Sequence, residues 1–247
     1  MAREKGGFWL GFTAALFYPI TRLLGRWQWE GLERIPAAGQ GAALVVANHI
    51  SYIDPIYTAV FVHRAGRIPR FLAKAGLWRI PMLRPILRAT GQIPVYRDSA
   101  DAQQSLRDGV QALREGKVVV IYPEGTITRD PDHWPMRSHT GVARLALTTD
   151  APVLPVIHWG TQEVYDHYRK RFRPIPRKRI VVRCGPPIDL SAFRDQPVDA
   201  VLLRRVTDHV MNEVRELLAK ERGEQPPAKF YRPLPTRPTR PTSGEAA

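Results

Sequence analysis

The chain is poor in cysteine, in acidic residues and in long apolar stretches, and each shortage removes a class of protein. One cysteine in 247 residues, Cys184, excludes an intramolecular disulfide and points to a reducing compartment. Acidic side chains number 23 against 37 basic ones, a formal charge of +14. The expected partner is therefore anionic: a phosphate-rich substrate, an anionic membrane or nucleic acid. No uncharged apolar run reaches the roughly 20 residues of a membrane-spanning helix. The nearest approach, residues 6–21, holds Phe8, Trp9, Leu10, Phe12, Leu16, Phe17 and Tyr18 but also Gly11, Thr13 and Pro19. Bulky aromatics stand where a signal peptide has small residues before its cleavage point. With Arg3 and Lys5 before the run and Arg22 and Arg26 after it, the preferred reading is a helix lying in the membrane interface; the other is a first helix packed on the core. There is no internal repeat, and the seven histidines are too scattered for a ligand-spaced metal cluster.

What is present alternates. The apolar run 41–47 (GAALVVA) reads as a buried strand, followed by a helix from about Tyr52 to His63 with Ser51 as its cap. Further strands are expected at 70–74, 93–96, 118–122, 152–158 and 180–184. Residues 77–90 read as a helix kinked or broken by Pro81 and Pro85. Ser99 caps a clearer helix, with Ala102, Leu106, Val110 and Leu113 at helical spacing and Gly116 as its stop. Thr140 opens a helix to about Thr149, and Leu202, Val206, Val210, Val214 and Leu217 mark a last amphipathic one. Alternating strands and helices predict a single α/β domain, a mostly parallel or mixed sheet flanked by helices. We place a membrane-interface segment at 1–29, the folded domain at 30–221 and a disordered tail at 222–247, where six prolines occur without periodicity.

Three segments carry chemistry. Asn48-His49-Ile50-Ser51-Tyr52-Ile53-Asp54-Pro55 sits where a buried strand gives way to a helix, the place where open α/β sheets bind ligands. Asp54 falls in the first helical turn and can fold back onto His49, fixing its tautomer and freeing the other ring nitrogen to take a proton from a hydroxyl. The bland alternative is a capping histidine beside a first-turn acid. Tyr122-Pro123-Glu124-Gly125-Thr126 also follows a strand; Gly125 allows close backbone approach to an anion, and Arg129 offers a guanidinium. Alone it is also an ordinary turn. Gly91-Gln92-Ile93-Pro94-Val95-Tyr96-Arg97 leaves Arg97 at a strand end, and Lys74 ends its own strand; both are phosphate candidates or solvated surface cations.

Together these blocks resemble the glycerol-phosphate acyltransferase family, most closely the 1-acyl-glycerol-3-phosphate acyltransferases. NHISYIDP at 48–55, GQIPVYR at 91–97, YPEGT at 122–126 and APVLPV at 151–156 are similar to its four blocks, in order. The resemblance covers about residues 30–190. It implies His49 as general base and Asp54 as its orienting partner. It also implies Arg97 on the acceptor phosphate, with Glu124 and Gly125 shaping that site; Asn48, Ser51, Lys74, Thr126 and Arg129 are the further substrate contacts expected here. The reaction implied is acyl transfer from acyl-CoA or acyl carrier protein to lysophosphatidic acid, giving phosphatidic acid. It needs no cofactor, no metal and no covalent acyl-enzyme, and Cys184 lies outside every block. One departure stands out: the family places an arginine directly after Glu-Gly-Thr, and here that residue is Ile127, the next arginine being Arg129. A different lipid acceptor, such as a glycolipid or another lysophospholipid, is therefore the alternative.

Residues 169–183 hold Arg169, Lys170, Arg171, Arg173, Arg177, Lys178, Arg179 and Arg183 with no acid among them. At about 1 kcal/mol per basic residue near an anionic bilayer, several would hold the protein to the cytoplasmic membrane face as a peripheral or monotopic protein. They would also attract the phosphates of coenzyme A or an acidic carrier protein; the plain alternative is a solvated basic loop. A basic nucleic-acid binder is the distant rival, and no nucleic-acid partner is expected, because Phe172 is the run's only stacking residue and no recognition motif appears. A hydrolase built on Ser51 and His49 would want a Gly-x-Ser-x-Gly elbow, which the sequence lacks.

Overall fold

The computed structural model describes residues 3–96 and 102–233. Elements follow in the order α1 (Phe8–Leu24), β1 (Gly25–Glu30), β2 (Ala43–Ala47), α2 (Asp54–Arg64), β3 (Pro69–Lys74), α3 (Leu83–Ala89), β4 (Ile93–Val95), α4 (Ala102–Arg114) and β5 (Val118–Ile121). They continue with α5 (Gly141–Thr148), β6 (Val153–Trp159), α6 (Thr161–Val164), β7 (Tyr165–Asp166), β8 (Arg171–Phe172), β9 (Lys178–Cys184), α7 (Ser191–Arg194) and α8 (Ala200–Arg222). Seven strands form one sheet in the order β1-β9-β6-β2-β5-β3-β4, and β7 and β8 make a small hairpin. Pairing is parallel throughout the large sheet except between β6 and β9, so the expected mixed α/β sheet is the fold found.

The central strands read as unbroken apolar runs because both faces are covered. On one face Val45, Val120, Leu154 and Ile180 meet Tyr57 and Phe61 of α2 and the two tryptophans of β1. On the other, Leu44, Val46, Val119 and Ile121 meet Leu113 of α4, Leu145 of α5 and Val206, Val210 and Val214 of α8. Burial of each such side chain contributes about 1.5–3 kcal/mol and holds the helices to both faces, while the parallel pairing puts the carboxyl ends of β2, β5 and β6 on one edge. α8 is capped at both ends, by the Asp199 carboxylate accepting from Leu202 N at 2.7 Å and by Gly223 at φ 65°.

Four expectations change. Residues 25–30 are an edge strand paired with β9, so a boundary between residues 29 and 30 falls inside the sheet. α1 runs through Pro19 unbroken, and α2 starts at Asp54, not at Tyr52 with a Ser51 cap. The stretch 77–90 is, as expected, broken at Pro81, into a 3-10 turn, Ala75–Arg79, and α3. The tail from residue 222 is ordered over its first part: Arg215 donates to Pro227 O at 2.7 Å and lies 4.7 Å from the Phe230 ring, and Arg137 N donates to Tyr231 O at 2.9 Å. Ser99 lies outside the described residues.

Candidate active site

The carboxyl ends of β2, β5 and β6, three neighbouring central strands, converge on one point. The chain leaves β2 at Asn48, whose side chain is fully buried and clamps the end of β6: its Oδ1 accepts from His158 N at 2.7 Å and its Nδ2 donates to His158 O at 3.1 Å. His49 follows, and its Nδ1 lies 2.9 Å from Asp54 Oδ2. That oxygen also accepts from the amides of Ile50 at 2.7 Å and Ser51 at 2.8 Å, while Oδ1 accepts from Thr161 Oγ1 at 2.5 Å. Asp54 has no solvent exposure. Burial, the largest influence, pushes its carboxyl up; the hydrogen bonds from His49 and Thr161 are among the interactions that outweigh it, so the group stays ionised and its titration moves down. A carboxylate so held can only accept, so Nδ1 of His49 carries the proton and Nε2 is left as the basic nitrogen.

The opposite wall comes from β5. The Tyr122 ring lies 4.5 Å from the His49 ring at 31°. Its hydroxyl is 2.7 Å from Thr58 Oγ1, which also lies 2.8 Å from Nε2 of His158. Burial drives His158 down to about 4, so this second histidine is neutral and acts as framework. Glu124 is buried as well: Oε1 accepts from His49 N at 2.9 Å and Oε2 from Met136 N at 3.0 Å. Burial raises it to about 8.

The predicted residues thus divide. His49 and Asp54 form the pair expected of them. Asn48 and Ser51, expected to touch substrate, are fully buried and committed to the framework, Ser51 Oγ donating to Tyr165 O at 2.8 Å. That bond also removes Ser51 as a nucleophile. Glu124 builds the site by holding two backbone amides, and Gly125, at φ 72°, turns the chain back with its N–H donating to Tyr122 O at 2.9 Å. Thr126, Arg129 and Lys74 are exposed. Arg97 lies outside the described residues. Ile127 is buried in the core, so the position the family gives to arginine contributes no cation here. Thr128 N instead donates to His49 O at 2.7 Å, which sets exposed Arg129 one residue from the dyad's backbone. Sequence reasoning missed Thr161 and His158, which come from a remote segment, and Thr58, one turn after Asp54 on α2.

Fold and site define a three-layer α/β protein with a histidine–carboxylate dyad at the carboxyl edge of its sheet. The family model described as Acyltransferase matches residues 26–159, more than half of the chain, and the chain belongs to that family. Among curated relatives, a chloroplast 1-acyl-sn-glycerol-3-phosphate acyltransferase of Brassica napus is 29% identical over 136 residues, 55% of this chain and 38% of that protein. An N-acylphosphatidylethanolamine synthase of Arabidopsis thaliana is 28% identical over 160 residues, 60% of this chain and 56% of that protein. The chain thus spans between 38% and 56% of these two relatives' lengths. The crystal structure of the 1-acyl-sn-glycerophosphate (LPA) acyltransferase PlsC of Thermotoga maritima is similar with a TM-score of 0.61 at 25% identity, covering 85% of this chain and 80% of that one.

Proposed function

We propose that the chain transfers a fatty acyl group from acyl-CoA or acyl carrier protein to the free hydroxyl of 1-acyl-glycerol-3-phosphate, forming phosphatidic acid. The observation that carries this is the His49–Asp54 pair, 2.9 Å apart with a buried, four-times hydrogen-bonded carboxylate behind the imidazole. Nε2 of His49 takes the acceptor's hydroxyl proton as the oxygen attacks the thioester carbonyl carbon. A C–O ester bond forms, the C–S bond breaks, and the thiolate leaves with the proton returned by His49. Arg129, Lys74 and Arg97 are the cations we assign to the acceptor phosphate.

The acceptor lies in a membrane, and the molecule has a surface for one. Phe8, Phe12 and Leu16 recur every four residues along α1, exposed. Ile80, Met82 and Leu83, also exposed, follow β3 at its carboxyl end, on the sheet edge that carries His49. Arg22, Arg79, Arg84 and Arg88 accompany them. No helix among the described residues is long and apolar enough to cross a bilayer. We assign a peripheral position on an anionic, cytoplasmic membrane face, with the apolar surface seated in the headgroups.

The test is transfer of a labelled long-chain acyl group from acyl-CoA to lysophosphatidic acid in vesicles, beside His49→Ala. Phosphatidic acid from wild type and at least about a hundredfold less from the variant is the expected result; equal activity would end the assignment of the base. Burial of Ile127 and the likeness to an N-acylphosphatidylethanolamine synthase support a second reading, the same chemistry on a different lipid acceptor. Thiol release only when another lipid replaces lysophosphatidic acid would favour it, as would Arg129→Ala leaving the Michaelis constant for lysophosphatidic acid unmoved.

A further inference from the structure

The segment after α8 is laid against the loop that carries His49. α8 ends at Gly223, whose φ of 65° turns the chain back, and Glu224 N donates to Ala219 O at 3.3 Å. Residues 224–231 then return along α8. Pro226 and Pro227 restrict φ, so less backbone freedom is lost when the segment is ordered. Arg215, about two turns before the end of α8, holds it at two points. It donates to Pro227 O at 2.7 Å, and its guanidinium lies 4.7 Å from the Phe230 ring. Phe230 also packs against the core. At the far end Tyr231 bridges Met136 in parallel register and accepts from Arg137 N at 2.9 Å.

Met136 and Arg137 belong to the connection between β5 and α5, residues 128–139, which grips both backbone groups of His49. Thr128 N donates to His49 O at 2.7 Å. Met136 N donates to one oxygen of Glu124 at 3.0 Å, and the other oxygen accepts from His49 N at 2.9 Å. Thr128 Oγ1 donates to Trp134 O at 2.6 Å and ties the two grips together. Burial raises Glu124 to about 8, and the Met136 amide is the strongest of the hydrogen bonds that oppose this, so whatever steadies Met136 steadies Glu124. From outside, Arg222 donates to Asp132 O and Arg204 to Ser138 O, each at 2.7 Å, from α8. The support beside Met136 itself comes from Tyr231.

We propose that residues 224–231 are a positioning strap for the active site: by holding Met136 and Arg137 they keep the Glu124 carboxylate, and through it the backbone of His49, in place beside Asp54. The strap acts through Glu124 and not on the imidazole, and its role rests on the acyl-transfer reading above, in which His49 is the base. A strap that only stabilised the fold would raise Tm and leave turnover alone.

The test pairs amide hydrogen exchange with acyl-transfer kinetics on the full chain. Two variants loosen the strap from opposite sides. Phe230→Ala removes its ring, and Arg215→Met removes the donor to Pro227 O while keeping an apolar stem. Arg215→Lys restores a donor, and Lys229→Ala, exposed on the strap, is the control. In the first two, exchange of the Met136, Arg137 and His49 amides should quicken roughly tenfold, with the amides of β2 and β5 as slow as in wild type. The kcat should fall by a similar factor with both Michaelis constants unchanged, and Arg215→Lys should recover most of it. Faster exchange at Arg137 with kcat intact would overturn the proposal, since the strap would then be free and the site indifferent. An Arg137 amide as protected as in wild type in both variants would also overturn it, as would activity lost together with faster exchange throughout β2 and β5. Quickened exchange at Met136 and His49 alone, in a protein that transfers no acyl group from any donor, would keep the strap's hold on His49 and remove the acyl-transfer reading instead.

Discussion

At the scale of residues, the dyad depends on a hydroxyl from far along the chain. Thr161 lies 107 residues from Asp54 and donates to the carboxylate oxygen that His49 does not use. Thr161→Val keeps the shape and removes the donor. The expected outcome is a kcat about tenfold lower with little change in Michaelis constants, and a stability loss of about 1–3 kcal/mol, read from steady-state kinetics and denaturant unfolding. A fall in stability with kcat intact would mean that Thr161 merely packs. Glu124 supports a pH prediction. Burial raises its pKa from 4.5 to about 8, so the folded protein binds a proton there more tightly than the unfolded chain. Its contribution to stability is full below about pH 4.5 and is lost as pH rises toward 8. Glu124→Gln removes that titration, so the difference in Tm between wild type and variant should shift in the variant's favour between pH 5 and 8. A constant difference across that window would show that Glu124 is already ionised at pH 5. His49, Asp54 and Glu124 were legible because short spacings bring them to strand ends. Thr161 and His158 were not, because only the sheet order places β6 beside β2; Thr58, one turn after Asp54 on α2, was missed because its partners Tyr122 and His158 come from β5 and β6.

Among elements, the turn between β6 and α6 decides whether that hydroxyl arrives. Gly160 sits at φ 92°, and a Cβ there would lie 1.9 Å from Arg179 O on β9. No side-chain rearrangement relieves a clash with backbone. Gly160→Ala should cost about 1–3 kcal/mol or more and lower kcat together with Tm, measured by calorimetric melting and acyl transfer. A variant melting like wild type would mean that β9 yields at this point. The strands were legible wherever an apolar run is covered on both faces, as at β2 and β5. β1 was missed although Trp27 and Trp29 alternate with Arg26, Gln28 and Glu30, the pattern of an edge strand with one covered face. Its nearness to the aromatic run of α1 drew it into the membrane segment. The proline-rich tail misled in the same way: composition argued for disorder, whereas Arg215 and Tyr231 tie residues 223–231 to α8 and to the loop whose Met136 N–H holds Glu124.

For the whole molecule, the membrane association proposed above would draw on both the +14 formal charge and one apolar surface. The basic run after residue 169 is partly spent inside the fold: Arg179 and Arg183 both pair with buried Glu221, at 2.6 and 2.9 Å, and Arg177 donates to Gly25 O at 2.8 Å. Its exposed remainder, Lys170, Arg171 and Arg173, adds long-range attraction that salt screens, whereas Phe8, Phe12, Met82 and Leu83 add contact that salt leaves intact. Co-sedimentation with vesicles separates the two. Wild type should bind anionic vesicles more tightly than neutral ones, and at 1 M salt, where the Debye length is about 3 Å, its binding to anionic vesicles should fall to the neutral level without vanishing. Phe12→Asp/Met82→Asp should abolish the residue that persists at high salt while sparing acyl transfer to a detergent-dispersed acceptor, because neither side chain belongs to the site. Binding that disappears entirely in salt would make the association electrostatic, with the apolar face of α1 playing no part. Binding that ignores salt would assign it to that face alone, and the surplus of arginine would then be free for the phosphates of the two substrates.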